Sequence, residues 1–381
     1  MKILFVSESY PSQDLPQYGI FIKQQAQALQ TLGNRVDVFV PNRCGTNGRI
    51  AFRDGAYRVD YRTLRYELFP VAAARPVYRQ LKTLLHEQEY DLVAVHITSD
   101  SFLALTVKAC NALDIPVVAH YHGLNVWEEF APVHPCRQKL FAARRCRILQ
   151  RTQGAVGVSD KVSDILRRRL NVPVQTVYNG VDTGLFIRKP RGDGAFRVIG
   201  VGNLIEIKGF SYLLEAFASL HRELPDCRLD ILGDGALRKP LTALAEQLGV
   251  SDVVTFHGKV PYDRVAEEMA KSNLFVLPSF YEALGCVYLE AMGCGLPTIG
   301  VAGMGIDEII AHGENGLLVK PKDSRDLYEK MRLVATDAEL ANQLAENGAE
   351  TARQYTWDAS AQTLNRFYEA CIKNEFSVFN G

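Results

Sequence analysis

Two glutamates separated by seven residues, Glu282 and Glu290, carry the spacing in this 381-residue chain that points most directly to chemistry. They frame the turn within the stretch LFVLPSFYEALGCVYLEAMGCG, residues 274–295. The apolar run at 274–277 has the length and composition of a buried parallel strand, and Pro278 and Ser279 stop it. Residues 286–292 then read as a helix, opened by Gly285 and ended by Gly293, Gly295 and Pro297. Glu282 falls in the loop and Glu290 about two turns into the helix. A helix start offers free backbone N–H groups and the positive end of the dipole, which bind anions. Carboxylates at such a place suit hydroxyl groups better than phosphates. The pair therefore reads as a grip on the polyol part of a phosphorylated ligand, with an acid/base pair as the competing assignment.

Other candidates fall at strand ends. Lys208, in GNLIEIKGF at 202–210, stands at the mouth of a strand-to-helix turn, where a point charge neutralises a diphosphate; a solvated surface lysine is the commoner fate. His122, in HYHGLN at 120–125, lies beyond a strand end beside a glycine and is preferred to His120 as a donor to a hydroxyl or reacting oxygen. A structural hydrogen bond is the bland alternative. Gly19 marks either a close backbone approach or a plain turn.

These residues need a scaffold of alternating strands and helices. Strands are expected at 2–6, 35–40, 91–96, 116–120, 154–158 and 174–178 in the first half. Further strands are expected at 197–202, 229–232, 253–256, 274–277, 298–301 and 317–319. Helices are expected at 20–32, 70–89, 210–224, 324–355 and 357–373, while 43–65 shows no helical periodicity. This order argues for two doubly wound parallel α/β domains, a count the length also favours. The Pro- and Gly-containing stretch at 188–195 reads as the linker.

The formal net charge of zero hides an asymmetry: residues 1–185 hold 23 Lys and Arg against 16 Asp and Glu, and residues 186–381 hold 20 against 27. A basic half attracts phosphates or an anionic membrane surface, or is only a set of solvated arginine-rich faces. Helix 70–89 mixes Arg75, Arg79 and Lys82 with Val77, Leu81, Leu84 and Leu85; packing on its own sheet is preferred to contact with lipid. The eight cysteines show no C-x-x-C spacing, so reduced thiols are expected rather than disulfides or zinc. The apolar start is too short for a signal peptide, and no run reaches transmembrane length.

Taken in order, these motifs resemble a known family. The chain is similar to retaining glycosyltransferases of the GT-B fold, GT4-type, across nearly its whole length. The resemblance is carried by YEALGCVYLEA, GNLIEIKGF, the GDG turn at 233–235, ENGLLV at 314–319 and GIFIKQQAQALQTLGNRVDV from Gly19. It implies an α/β protein with two Rossmann-like domains facing across a cleft: an acceptor-side domain at 1–185, a nucleotide-sugar domain at 186–355, and a helix within 356–381 that crosses back. It implies that Glu290 binds the ribose, Glu282 the donor sugar, and the N–H groups of Gly285, Cys286 and Val287 the phosphates, with Leu284 in the same loop. Lys208 would balance the departing diphosphate, Gly19 and Gly233 would let backbone approach the donor, and the backbone around Gly258 and Lys259 would meet the base. His122 would face the sugar and, with Glu282 and Lys208, form the catalytic set.

Two residues depart from the family pattern. Asn203 stands where an arginine is frequent and loses a bidentate cation. Ala283 and Leu284 replace Gly-Phe within the usual Glu-Gly-Phe-Gly loop. The implied reaction is a front-face displacement with retained configuration, resting on positioning and on stabilisation of the leaving diphosphate. No metal or other cofactor is expected beyond the donor, because the chain lacks a D-x-D motif and Lys208 with the helix start takes the charge. Expected partners are a nucleotide sugar and a carbohydrate or lipid-linked acceptor, with peripheral contact to anionic membrane and no nucleic acid. The expected place is cytoplasmic, at the inner face of the cell membrane, in a polysaccharide or glycolipid pathway of the teichuronic-acid type. A sugar-nucleotide epimerase and a non-catalytic sugar-nucleotide-binding protein are the alternatives.

Overall fold

The computed structural model describes residues 1–13, 17–42, 49–60, 75–96, 100–123, 135–187 and 194–376. The chain divides into two compact units, Met1–Tyr178 with Trp357–Gly381, and Asn179–Thr356.

The first unit runs β1 (Lys2–Ser7), α1 (Ile20–Thr31), β2 (Arg35–Asn42), β3 (Ile50–Arg53), β4 (Ala56–Asp60), α2 (Arg75–Glu87), β5 (Leu92–His96) and α3 (Asp100–Asn111). It continues with β6 (Val117–Tyr121), α4 (Pro135–Leu149), β7 (Gly154–Gly157), α5 (Asp160–Arg167) and β8 (Val174–Thr176). Its described strands form one sheet, β3-β4-β2-β1-β5-β6-β7-β8. Every pairing is parallel except the β3–β4 edge. All five residues of β5 and of β6 are buried, as continuous apolar strands covered on both faces require.

The second unit follows the same rhythm: β9 (Arg197–Val201), α6 (Phe210–Glu223), β10 (Arg228–Leu232), α7 (Arg238–Gln247), β11 (Val254–Gly258), α8 (Tyr262–Ala270) and β12 (Leu274–Val276). Then come α9 (Cys286–Gly293), β13 (Thr298–Val301), β14 (Leu317–Val319), α10 (Ser324–Thr336) and α11 (Ala338–Gln354). Its described strands lie in the order β11-β10-β9-β12-β13-β14, all parallel. Both sheets are therefore doubly wound, as the alternation of elements predicts. Strand order reverses between β1 and β5 in one unit and between β9 and β12 in the other, which opens a crevice at the carboxyl ends of those strands.

The last helix, α12 (Trp357–Lys373), belongs to the first unit. Its Ala361, Leu364, Phe367, Tyr368 and Cys371 share one face and enter the core with Ile22, Ala26 and Leu29 of α1. Full burial of a Leu or Phe side chain is worth about 1.5–3 kcal/mol, so this face ties the end of the chain to its beginning.

One expectation changes. Residues 50–60, inside the stretch at 43–65, form the antiparallel edge hairpin, turned by Asp54 and Gly55 at φ 49° and 75°. An Asp-Gly turn between β-branched and aromatic residues is the hairpin signal, and a search for helical periodicity passes over it. Asn179 already belongs to the second compact unit. Asn179 Nδ2 donates to Cys286 Sγ at 3.2 Å, and Val181 bridges to Thr356. Of the expected linker, residues 188–193 lie outside the described residues. On α2, Val77, Leu81, Leu84 and Leu85 are buried while Arg75 and Arg79 are exposed, so the apolar face packs inward. Among the described residues no helix is long and apolar enough to cross a membrane.

Candidate active site

In the second unit, β9 ends and the chain makes a single 3₁₀ turn, Glu206–Lys208, before α6. Gly209 separates the two at φ 70°, and a side chain there would run into the Pro278 carbonyl. That contact fastens the turn to the loop after β12. The Ile207 carbonyl accepts both the Ser279 hydroxyl at 3.1 Å and the Phe280 N–H at 3.0 Å. The result is an ion pair that spacing alone does not predict: Lys208 Nζ donates to Glu282 Oε2, with side chains 18% and 14% exposed. A cation and an anion read as separate contacts to the donor hold one another.

Helix α9 starts beside them. Gly285, its N-cap, has φ 79° and makes no side-chain cap. A Cβ there would lie 2.6 Å from the Tyr288 ring and 3.0 Å from Glu282 Cγ. Glycine thus lets the Glu282 loop close against the helix while the first-turn N–H groups of Gly285, Cys286 and Val287 keep no partner within the helix. The helix is anchored from below by the buried Tyr288 hydroxyl, which donates to the Leu277 carbonyl at 2.6 Å. Leu284 is 1% exposed, so its side chain is core and only its main chain remains for a ligand.

Glu290, one face of α9 away, sits differently. It is 7% exposed and accepts a hydrogen bond from the Tyr262 hydroxyl at 2.7 Å. Burial pushes its carboxyl up from an ordinary 4.5 to about 7, against the opposing pull of that bond. The two acids therefore have different partners, a cation for one and a phenol for the other. Tyr262 opens α8 without any recognisable motif, and sequence reasoning missed it.

The remaining donor-side candidates fall on the same edge. Asn203 is exposed just beyond β9. Gly233 follows β10 at φ 130°, where a Cβ would collide with the Gly202 carbonyl, and its N–H donates to the Gly258 carbonyl at 2.8 Å. That bridge puts Gly233 next to the residue preceding the exposed Lys259.

In the first unit, Gly19 caps α1 at φ 72°, and a Cβ would meet Ser9 at 2.5 Å. The close approach it permits is thus to its own chain. His122 does not stand alone. His96 and His120 are partners in the β5–β6 register and so share a sheet face, and His122 lies two residues on. His96 Nδ1 and His122 Nε2 are 3.0 Å apart, and His120 Nε2 meets the Tyr368 hydroxyl of α12 at 2.7 Å. Burial lowers the pKa of all three below 6.5, with neighbouring imidazoles adding to it for His96 and His120; His122 falls to about 4. All three are neutral near pH 7. One ring nitrogen from each lies within 4.8 Å of the others, which makes them the group among the described residues able to hold a metal ion. His96 ends a strand as His120 nearly does, a signal the sequence contained. Leu124 and Asn125 of that motif lie outside the described residues.

Comparison with known proteins places both halves. Residues 19–185 match the family described as Glycosyltransferase Family 4, and residues 186–351 match Glycosyl transferases group 1. Lipopolysaccharide core biosynthesis glycosyltransferase LpsE of Rhizobium meliloti (strain 1021) is 32% identical over 241 residues, 61% of this chain and 67% of the relative. An uncharacterized glycosyltransferase of Methanocaldococcus jannaschii is 26% identical over 404 residues, 98% of this chain and 99% of its own. Other curated relatives are matched over about half of their length, 58% in one case and 49% in another. Among solved structures, sucrose-phosphate synthase from Thermosynechococcus elongatus has a TM-score of 0.79 at 21% identity, covering 98% of this chain and 100% of that one. Anabaena HepE in complex with UDP and glucose has 0.77 at 20%, covering 97% and 100%. At these identities the structures speak for the fold.

Proposed function

Because the chain belongs to the GT-B glycosyltransferases of the group 1 and family 4 type, we propose that it moves a hexosyl group from a nucleotide-diphosphate sugar to an acceptor hydroxyl with retention of anomeric configuration. One observation carries the reading: the Lys208–Glu282 ion pair stands beside the uncapped start of α9, at the strand-order reversal of the second sheet. Parallel sheets bind ligands at that reversal, and a helix start with an adjacent lysine fits a diphosphate.

In this reading Glu282 binds hydroxyls of the sugar that moves, and Glu290 the ribose that leaves with the diphosphate. The N–H groups of Gly285, Cys286 and Val287 hold phosphate oxygens. Lys208, released from part of its hold on Glu282, meets the negative charge that grows as the bond to the leaving oxygen stretches. His122 is a neutral hydrogen-bond donor to a substrate hydroxyl. Gly233 and the backbone beside Lys259 line the donor, and Asn203 adds a hydrogen bond without a charge. No step requires a metal, so activity is expected to persist in excess chelator.

The acceptor is read as a lipid-linked or surface glycan. The similarity to LpsE, a lipopolysaccharide core biosynthesis glycosyltransferase, supports it. A teichuronic-acid-type acceptor on the cytoplasmic side is the specific form proposed. Membrane contact in this reading is electrostatic, through basic residues such as Arg75 and Arg79, since the apolar face of α2 is buried. Sedimentation with anionic against neutral liposomes tests it, and equal binding removes it.

The central test incubates the protein with a panel of UDP-, GDP- and ADP-sugars, with and without glycan acceptors, and follows nucleotide-diphosphate release. Acceptor-dependent release with a product of unchanged anomeric configuration is expected. Donor conversion without release would assign an epimerase instead, and binding with neither would leave a sugar-nucleotide-binding protein.

A further inference from the structure

We propose that His96 is a positioning residue for His122, holding it through a ring-to-ring hydrogen bond in the tautomer that keeps its proton on Nδ1. The substrate half of this inference rests on the function proposed for His122; the tautomer does not.

The argument begins with register. His96 and His120 face each other across β5 and β6, so both rings leave the same side of the sheet, and His122 follows by the two-residue period. The rings of His96 and His122 are 7° from parallel with centres 5.2 Å apart, and their nearest nitrogens are 3.0 Å apart. Two centre-to-nitrogen radii and that gap account for the whole 5.2 Å, so the rings lie edge to edge in nearly one plane. That is the geometry of an N–H···N bond, with one nitrogen donating and the other accepting.

Two assignments satisfy it, and they strand different atoms. Neither His96 Nε2 nor His122 Nδ1 has a hydrogen-bond partner among the described residues. If His122 Nε2 donates, the proton of His96 sits on its Nε2, an orphan N–H on a ring 2% exposed and 4.5 Å from the Phe5 ring centre. If His96 Nδ1 donates, the core holds only a lone pair, and the unpaired N–H is His122 Nδ1. His122 is the less buried residue and lies just past β6, at the sheet edge where ligands bind. Each assignment leaves one buried N–H unpaired; the second places it at that edge, where a bound oxygen can meet it, rather than deep in the core, so the second is favoured. It also leaves His122 with a donor that has no partner among the described residues, for a substrate oxygen to meet. The low pKa of both rings agrees, because neither carries a second proton.

The same distances speak against a metal between these two rings. The facing lone pairs point at one another along one line, and an ion there would need two bonds of about 2.0–2.1 Å in the 3.0 Å available, while an ion off that line would lie outside both lone-pair directions. The third imidazole bonds Tyr368 through Nε2, which leaves only its Nδ1 unpartnered among the described residues.

The experiment labels the protein with ¹⁵N-histidine and records two-bond ¹H–¹⁵N correlations without ligand. His122 is expected to show a protonated Nδ1 and an unprotonated Nε2, and His96 a protonated Nδ1. A wild-type His122 protonated on Nε2 would overturn the proposal, as would a stoichiometric metal ion in the purified protein that His96→Leu removes. In His96→Asn the amide donates in place of Nδ1, so the His122 tautomer is retained; in His96→Leu it becomes mixed. With a donor and acceptor that turn over, His96→Leu is expected to lower kcat at least tenfold with little change in donor KM, and His96→Asn to recover most of that loss. Equal kcat in His96→Leu and wild type overturns positioning. If no sugar nucleotide turns over, the functional reading fails, and the spectra still decide the tautomer.

Discussion

Replacing Tyr262 with phenylalanine deletes one hydroxyl and keeps the ring that packs edge-on against Phe186, at 5.2 Å between centres. The lost bond is the one Glu290 accepts at 2.7 Å, and it favours the ionised carboxylate. Glu290 stands at about 7 with the bond in place. A hydrogen bond to a charged group is worth about 1.5–3 kcal/mol, and 1.36 kcal/mol moves a pKa by one unit, so its loss raises the midpoint by roughly one to two units. Ribose hydroxyls donate to the ionised carboxylate. Donor affinity should therefore strengthen as pH rises, with a midpoint near 7 in the wild type and a higher midpoint in Tyr262→Phe. The assay is calorimetric titration of UDP-glucose, then GDP-mannose and ADP-glucose, from about pH 5 to about pH 9. A nucleotide sugar is the right probe, because a terminal phosphate with its own pKa near 6 would mask the transition. Glu290→Gln should abolish the pH dependence. The same group gives a stability test. Its folded pKa is raised, so its contribution to stability is present below 4.5 and is lost as pH rises through about 7. Glu290→Gln should accordingly gain stability relative to wild type above neutrality. A shared binding midpoint for Tyr262→Phe and wild type, or a flat wild-type profile, would refute the reasoning.

Glu290→Ala is expected to weaken donor binding, whereas Glu282→Ala mainly lowers turnover and leaves Lys208 without its partner; steady-state kinetics unchanged in either variant would contradict this division. Gly209→Ala forces a side chain into φ 70° against the Pro278 carbonyl and should destabilise the second unit by at least about 1–3 kcal/mol, read from denaturant midpoints. Tyr368→Phe leaves the buried His120 Nε2 without its partner and should cost about 1–3 kcal/mol in urea unfolding. A midpoint shift below a few tenths would mean that the bond between α12 and β6 contributes little.

Much of the scaffold was legible because its signals are local. Each central strand is a short apolar run, each helix carries its own periodicity, and chain order alone implies doubly wound sheets. The edge hairpin was not read, since its information lies in the Asp54-Gly55 dipeptide rather than in a period. The site was half legible. Glu282, Gly285, Glu290 and Lys208 could be picked out by their places at strand ends. Their partners could not: Tyr262 opens a helix with no motif, and His96 lies twenty-six residues before His122.

The sequence by itself determined which residues stand at the carboxyl ends of the strands, because strand and helix lengths are written in hydrophobic patterning a few residues long. It also determined that Gly285 opens a helix between two acids. Only the tertiary structure decided how these groups pair. The Lys208–Glu282 ion pair exists because β9 and β12 are neighbours across a strand-order reversal. The about-7 carboxyl of Glu290 exists because α9 is buried and α8 supplies one phenol. The three imidazoles meet because β5 and β6 pair in register. Pairing, burial and proton position are properties of distance through space, and sequence separation does not encode them.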